Sequence, residues 1–276
     1  MRWLKPEATL RPLLILALLG VAAFPIYWML VTSLTSPQHL FDASPRLLPD
    51  FGQAAVYLEI FRDHPVGLWL RNSAIVALGT MVLSIALSVF PAYTLSRFKT
   101  ASMAVLGLML FVTQMLPEAM LVVPLYTLYS ELSLINTLLG LILANTAFTV
   151  PVVTWILKGA IDAIPEEIEE AARMDGCSRF GTVLSVVTPI IAPTLAATAV
   201  IAFFNGWNEY IFAQTLIVDS SLHTASVGLA RFIGELSTPM HSVMSVALIY
   251  TLPAVVFYLF AQRYVVAGMT AGSVKG

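Results

Sequence analysis

Long uninterrupted apolar segments are the feature of this sequence that most restricts its fold. A helix that crosses a bilayer needs about 20 mostly apolar residues, because each residue rises about 1.5 Å through a layer about 30 Å thick. An open strand in lipid would leave backbone groups without partners, and no segment alternates like a barrel strand. The sequence therefore predicts an all-α integral membrane protein. Its six predicted spans lie near residues 12–34, 70–95, 103–126, 137–157, 190–213 and 243–261.

Composition supports this prediction and excludes one class of function. Of the 276 residues, 58% are hydrophobic and 11% are charged, against about 25% charged residues in an ordinary soluble domain. The formal net charge of -2 provides no basic surface for nucleic acid. We therefore expect a single transmembrane domain over residues 1–276 that contacts membrane lipid and no nucleic acid.

The first apolar segment has the basic flank of a secretory signal, with Arg2, Lys5 and Arg11 before it. A signal, however, has a shorter apolar region that ends at a small-residue cleavage site. Here the apolar run continues through Pro25 and no such site follows. We therefore interpret this segment as an uncleaved membrane anchor.

The distribution of lysine and arginine predicts the orientation of the chain. Loops that carry these residues next to a span remain on the cytoplasmic side of the membrane. If both termini are cytoplasmic, ten of the 14 lysines and arginines lie on that side: Arg2, Lys5, Arg11, Arg97, Lys99, Lys158, Arg173, Arg179, Arg263 and Lys275. We therefore predict that both termini are cytoplasmic, with a cytoplasmic tail over residues 262–276.

The longest hydrophilic stretch on the predicted cytoplasmic side is residues 158–189, between the fourth and fifth spans. Pro165 suits the first turn of a helix, where its missing N–H would have no partner, and the glutamates after it suit the positive end of the helix dipole. Gly176 is placed to end this helix in left-handed geometry, and Ser178 to cap a second helix. The pattern predicts a bent pair of short amphipathic helices.

From the residues alone, this pair is either a linker among lipid headgroups or a surface that contacts another protein. A helix in the headgroups normally carries lysine and arginine on its polar face. This segment instead carries acidic residues: Glu166, Glu167, Glu169, Glu170 and Asp175. The acidic composition favours a basic protein partner.

A spaced motif runs through the same segment: Glu170-Ala171-Ala172, three residues, Gly176, nine residues, then Val186-Val187-Thr188-Pro189. It resembles the EAA loop of binding-protein-dependent ABC importer permeases, EAA-x3-G-x9-I-x-LP, from which Val186 and Thr188 depart. The resemblance implies a MetI-like fold in the bacterial cytoplasmic (inner) membrane and a coupling helix that docks on a cytoplasmic ATPase subunit, with Glu170 facing an arginine there. The ATPase-coupling residues that it implies are Glu170, Ala171, Ala172, Arg173, Asp175, Gly176 and Pro189.

Residues 205–210 and the ending 262–276 resemble the carbohydrate-uptake class of that family, particularly its maltose-type second permease subunit. The resemblance implies an ATPase subunit dimer, a second permease subunit and an extracytoplasmic solute-binding protein as partners, and a sugar substrate such as maltose or trehalose. It also implies that the last residues contact the ATPase dimer, whereas a frayed polar tail is the usual expectation for terminal residues. These residues are Gly272, Ser273, Val274, Lys275 and Gly276.

Polar side chains within the predicted spans are candidates for a solute path. A charged group at membrane depth costs roughly 3 kcal/mol or more, so such groups are expected to face protein or water. They line a solute path, or they form hydrogen bonds between helices, or the glutamates lie near the outer interface. The candidate path residues are Gln114, Glu118, Asn205, Trp207, Asn208 and Glu209.

The sequence contains no phosphate-binding loop, no paired metal-ligand spacing and no nucleophile turn. We therefore predict a transporter subunit rather than an enzyme, with no metal or cofactor in this chain and with ATP and Mg bound by partner ATPase subunits. Two other functions stay open: an ion-coupled secondary carrier acting without an ATPase, and an intramembrane enzyme, for which the sequence offers no nucleophile and base pair.

Overall fold

The computed structural model describes residues 6–234 and 240–271, with side chains over 11–233 and 240–263. These residues form helices joined by turns and short loops, and no strand occurs among them. The predicted all-α fold is confirmed. The predicted ATPase contacts at residues 272–276 lie outside the described residues.

The helices vary from a single turn to more than thirty residues, and a π-helical turn, Val183–Val187, joins two of them. In chain order they are α1 (Pro6–Ser33), α2 (Ala55–Asp63), α3 (Val66–Arg97), α4 (Ala101–Thr113), α5 (Glu118–Glu131), α6 (Leu138–Asp162), α7 (Glu166–Met174), α8 (Arg179–Thr182), α9 (Thr188–Ile190), α10 (Ala192–Asn208), α11 (Ile211–Leu216), α12 (Ala225–Gly234) and α13 (Met240–Ala271).

Within the described ranges, 4 helices are long and apolar enough to cross a membrane, namely α3, α6 and most of α1 and α13. Two further pairs are bent. Helices α4 and α5 meet at 102°, and the stretch Arg179–Ile190 meets α10 at 82°. The number of spans reaches 6 if each bent pair forms one span, so the six-span count stays a prediction.

The bend inside the predicted third span has a local cause at Pro117. The backbone N–H groups of Gln114 and Met115 bond to the carbonyls three residues earlier, so the last turn of α4 is tightened. Pro117 then adopts an extended conformation at φ -62° and ψ 126° and precedes the first residue of α5. Proline has no N–H and clashes with the preceding turn, which favours a break in the helix at this position.

The chain forms two compact units, each built from two stretches of sequence. The first unit comprises Met1–Val66 and Leu229–Leu252, and the second comprises Gly67–Gly228 and Pro253–Gly276. The prediction of one domain over residues 1–276 stays a prediction. In the first unit, the Ser33 hydroxyl and the Tyr57 hydroxyl share a hydrogen bond of 2.7 Å, and the His64 ring packs edge-on against Phe232 at 4.7 Å.

The second unit contains the candidate sites, and its core is formed where α3, α6 and α10 pack together. Gly206 of α10 makes this packing close, because a Cβ at this position would lie 2.9 Å from the Ala77 Cα of α3. One buried cluster joins these helices to the π-helical turn: Val89, Ala92, Val153, Leu157, Ile161, Ile164, Val183, Val187, Ile191 and Ala202. The core therefore connects the segment before α10 directly to the long helices.

Candidate functional site

Helix α7 has the local structure that its sequence predicts. Pro165 is its N-terminal cap residue, and acidic side chains occupy the first turn. The helix ends before Gly176, which has the left-handed φ of 92°. The Ser178 hydroxyl then accepts the Gly181 N–H at 3.1 Å and caps the next helix. The acidic part of the stretch 158–189, which we call the acidic segment, therefore folds as helix α7, a turn at Gly176 and a second short helix, α8.

Glu169 is the buried residue of α7 and fastens this helix to the end of α3. Its carboxylate accepts the Arg97 Nε–H at 2.7 Å and the Tyr93 hydroxyl at 2.7 Å. The side chains of Arg97 and Glu169 are only 11% and 5% exposed. Charge-assisted hydrogen bonds with buried partners are among the strongest polar contacts in proteins. The ion pair therefore forms a firm joint between the acidic segment and a long apolar helix, and we call it the α3–α7 joint.

The α3–α7 joint continues into α6 through a chain of polar contacts. Arg97 Nη2 donates to the Ile164 carbonyl at 2.9 Å, and its Nη1 donates to the Ser96 hydroxyl at 3.3 Å. Ser96 in turn donates to Asp162 at 2.6 Å, and Lys158 pairs with the same carboxylate at 2.6 Å. The ends of α3 and α6 and the start of α7 are thus held as one polar cluster.

The other acidic residues of the segment lie at the surface. The Glu170 side chain is 64% exposed, and its nearest cation, Arg173 Nη2, is 3.9 Å away and half-exposed. An exposed pair of this kind contributes little to stability. Ala171 and Asp175 are also exposed. Glu169 differs from the other four acidic residues of the segment, because its negative charge is neutralised inside the chain by Arg97.

The π-helical turn before Pro189 gives Thr188 a role in the backbone. The Thr188 N–H and its hydroxyl both donate to the Val183 carbonyl, the hydroxyl at 2.7 Å. A leucine, which the EAA pattern has at this position, could not donate the second bond. The departure from the pattern at Thr188 therefore coincides with a hydroxyl that supports the unusual turn.

A cavity of about 650 Å³ lies beside α6 and α10. Five of the six predicted path residues line it: Gln114, Glu118, Asn205, Asn208 and Glu209. Trp207 does not, because its side chain is 1% exposed and its ring stacks on Phe203 at 5.7 Å. The structure thus brings together residues from the end of α4, the start of α5 and the end of α10, while their role as a solute path stays a prediction.

Glu209 has a structural task at the wall of this cavity. Its two carboxylate oxygens accept the N–H groups of Phe212 at 2.6 Å and Ala213 at 2.9 Å. Both N–H groups belong to the first turn of α11, where they would otherwise have no helical partner. The side chain therefore bonds to local backbone rather than across helices, and its carboxyl group is held in place at the cavity.

Asn145 of α6 is a cavity residue that the sequence reasoning missed. It is 4% exposed and borders the cavity. Its amide nitrogen and its amide oxygen are buried with no hydrogen-bond partner among the described residues. The sequence did contain a signal for Asn145, because it is an amide inside the apolar segment 137–157, and polar groups within a membrane span usually mark function.

The ionisable side chains at the cavity include two carboxylic acids. Glu118 and Glu209 are its ionisable acids, and none of the described residues that line it is a lysine, arginine or histidine. In the described part of the chain, no group of three histidine, cysteine, aspartate or glutamate side chains is arranged to hold a metal ion. The cavity is therefore a polar, acidic space with aromatic walls.

Comparison with known proteins gives a consistent result along the whole chain. The family model for the inner membrane component of binding-protein-dependent transport systems matches residues 65–271. The chain is 32% identical over 279 residues to the trehalose/maltose transport system permease protein MalG of Thermococcus litoralis, covering 99% of this chain and 100% of that protein. It is 33% identical over 253 residues to the sulfoquinovosyl glycerol transport system permease protein SmoH of Agrobacterium fabrum, with coverage of 92% and 89%.

A third relative is the trehalose transport system permease protein SugB of Mycobacterium tuberculosis, 33% identical over 260 residues, with coverage of 93% and 94%. Among solved structures, a chain of a bacterial ABC transporter involved in the import of the acidic polysaccharide alginate superposes with a TM-score of 0.76. That chain is 22% identical, and the match covers 96% of this protein and 99% of that chain. The structural likeness supports a shared fold.

Proposed function

Because the chain belongs to the family of binding-protein-dependent transport system inner membrane components, we propose that it forms, with a second permease subunit, the membrane path of an importer for a sugar or sugar derivative. The family is one of ATP-driven importer permeases, so the prediction of a transporter subunit rather than an enzyme is confirmed. The observation that carries the proposal is the match over residues 65–271, which includes the acidic segment and the cavity.

In the proposed mechanism, the exposed face of α7 is the docking surface for an ATPase subunit. Glu170 and Ala171 lie on this face, and small alanines allow close approach of another chain. ATP and Mg are bound by the ATPase subunits, which form a dimer. When that dimer closes, it moves α7, and the chain transmits the movement to its long helices.

Two physical connections support transmission from α7 to the cavity. The α3–α7 joint links the acidic segment to α3 through Arg97 and Glu169. The second connection is continuous backbone, since α8, the π-helical turn and α9 lead directly into α10. Helix α10 carries Asn205 at the cavity wall. A rotation of α7 would therefore act on both the packing of α3 and the position of the cavity residues.

The proposal also includes the setting of the chain. The protein resides in the bacterial inner membrane with both termini cytoplasmic, and a solute-binding protein delivers the substrate on the outer side. The relatives are named for trehalose/maltose and trehalose transport, which supports an oligosaccharide such as maltose or trehalose, or a related solute, as the substrate class. The tail residues 272–276 are proposed to contact the ATPase dimer.

Uptake by the reconstituted importer tests this function. The chain with its genomic partners is placed in proteoliposomes, and solute uptake and ATP hydrolysis are measured together. Glu170→Lys is expected to abolish uptake and release the ATPase during purification, because it reverses the charge of the docking face. Glu131→Lys is the control for charge reversal, since Glu131 is exposed at the end of α5, outside α7 and the EAA motif.

A secondary carrier would give the opposite pattern in the same vesicles. The single purified chain would then accumulate solute in an ion gradient without ATP, and Glu170→Lys would leave uptake unchanged. Either result would contradict the proposal.

A further inference from the structure

We propose that a groove between α4 and the ends of α3 and α6 binds an anionic phospholipid of the cytoplasmic leaflet, with Lys99 and Lys158 holding the phosphate and the walls below them holding an acyl chain. This lipid groove is separate from the large cavity beside α6 and α10, since no described residue lines both. The inference goes beyond the proposed function, which requires no specific lipid.

The lipid groove joins a polar edge to an apolar interior. It has a volume of about 430 Å³, and its lining extends from Lys99 and Thr100, just before α4, to Gly107, about two turns into that helix. Two turns of helix span roughly 11 Å. The nearby ends of α3 and α6 belong to the polar cluster at the α3–α7 joint, so the groove lies on the side of the chain that is proposed to be cytoplasmic.

The rim of the lipid groove is basic. Lys99 and Lys158 are the charged residues of its described lining, which contains no acid. Lys99 is exposed and has no salt bridge to any residue that the structure describes. Lys158 pairs with Asp162 at 2.6 Å, but an ammonium group has three donors and can bond to a phosphate oxygen as well. Lysines at the membrane surface attract anionic lipid.

The first turn of α4 adds to this attraction. The Thr100 hydroxyl caps the helix by accepting the Met103 N–H at 3.3 Å, and both residues line the groove. The N-terminal end of a helix carries the positive end of its dipole and favours a phosphate. A phosphate at the rim therefore meets two ammonium groups and the start of α4.

The lower walls of the lipid groove suit hydrocarbon. Trp155 of α6 forms one wall, and its ring lies against Gly107, where an added Cβ would be 3.4 Å from the indole. Leu95 and Ala104 are further apolar lining residues. Lys158 Nζ lies 5.9 Å from the centre of the Trp155 ring. A tryptophan beside a lysine is typical of the membrane–water interface, where the ring meets acyl chains and the charge meets headgroups.

The surroundings favour a lipid over a free anion. Helix α4 presents exposed apolar side chains next to the groove, with Val105, Leu108 and Met109 exposed by 50%, 61% and 61%, and such a surface is in contact with hydrocarbon. A free phosphate would use the basic rim and leave the apolar walls without a partner. A phospholipid matches both parts of the groove, because it carries an anionic headgroup and acyl chains in one molecule.

Native mass spectrometry of the assembled, delipidated importer in mild detergent tests the rim. The probes are palmitoyl-oleoyl phosphatidylglycerol and the zwitterionic phosphatidylcholine with the same chains. Phosphatidylglycerol should bind more tightly. Lys99→Gln should weaken its binding about fivefold, the contribution of one cation near a membrane surface. Arg62→Gln, which removes an exposed cation at the end of α2, is the matched control and should leave binding unchanged.

Substitutions on α4 test the walls. Ala104→Phe fills the groove from an exposed lining position and should weaken phosphatidylglycerol binding roughly tenfold, as expected for the loss of about two buried CH₂ groups. Val105→Phe, on the same helix but outside the lining, should not. A phosphatidylglycerol analogue with a diazirine on its acyl chain should crosslink within residues 95–107 or at Trp155, and excess inorganic phosphate should not displace it.

Four results would overturn the inference: equal binding of the two lipids, displacement by inorganic phosphate, a Lys99→Gln protein that binds like Arg62→Gln, or an Ala104→Phe protein that binds like Val105→Phe. Binding to the single chain that disappears in the assembled importer would also overturn it, because the groove would then be an interface with another subunit. Lipid binding requires neither solute nor ATP, so a loss of uptake would not affect this test.

Discussion

Removal of Glu169 is the perturbation that most sharply tests how the acidic segment is attached to the membrane helices. Glu169→Ala leaves the Arg97 guanidinium buried without its carboxylate, in a site where the two side chains are 11% and 5% exposed. Removing one partner of a buried ion pair costs about 3–5 kcal/mol. Since each 1.4 kcal/mol is a factor of ten, the detached state of α7 should become at least about 100-fold more populated.

Substitutions that remove fewer contacts of Glu169 should destabilise the attachment of α7 less than Glu169→Ala does. Glu169→Gln keeps the shape and one acceptor, so its cost should be closer to the value of about 1.5–3 kcal/mol for a hydrogen bond to a charged group. Tyr93→Phe removes one of the two hydrogen bonds and should cost less than Glu169→Ala. Glu167→Ala is the control, because this residue is exposed on the same helix and should change little.

The assay uses a reporter that the chain already contains. Cys177 is the one cysteine of the sequence and lies half-buried in the turn after α7. Detachment of α7 should raise its rate of thiol labelling and lower the amount of solute transported per ATP hydrolysed. A buried charge is costly only when its partner is missing. Arg97→Ala combined with Glu169→Ala should therefore destabilise the attachment of α7 by less than the sum of the two single variants. Strict additivity, or a Glu169→Ala protein that behaves like Glu167→Ala, would show that the Arg97–Glu169 pair does not hold α7 in place.

Two further predictions concern helix packing and the π-helical turn. Gly206→Ala should lower the free energy of unfolding by about 1–3 kcal/mol, because the new Cβ would lie 2.9 Å from the Ala77 Cα. Gly159→Ala is the control: a Cβ there meets nothing within 4 Å, so the free energy of unfolding should stay unchanged or rise by about 0.5–1 kcal/mol. Thermal unfolding in detergent compares the two variants. Thr188→Val, which keeps the shape and removes the hydroxyl bond to Val183, should cost about 0.5–1.5 kcal/mol; an unchanged unfolding temperature would show that the hydroxyl does not support the turn.

The parts of the fold that the sequence predicted are those set by short-range physics. Apolar length predicted helices in the membrane. Helix-ending signals predicted the local shape of the acidic segment, where Gly176 has a positive φ and Ser178 caps the next helix. Each of these features depends on residues within about one turn of each other, so the pattern in the chain is sufficient to predict it.

What the sequence could not predict depends on residues far apart in the chain. The burial of Glu169 requires Arg97, 72 positions away. From the sequence alone, Glu169 therefore cannot be distinguished from the exposed glutamates beside it. The bend at Pro117 is different, because the proline was visible but prolines in membrane helices do not always break them. Trp207 was assigned to the solute path because its ring offers a flat face to a sugar, yet the helical turn directs it into the core.

The exposed face of α7 is proposed to be a cytoplasmic docking surface for the ATPase, and the sidedness of thiol labelling at Ala171→Cys in a Cys177→Ala background measures this directly. A membrane-impermeant maleimide is added to right-side-out and inverted vesicles, with and without the ATPase subunit. Labelling should occur only from the cytoplasmic face, and bound ATPase should suppress it. Labelling from the outer face, or cytoplasmic labelling that the ATPase leaves unchanged, would contradict the account.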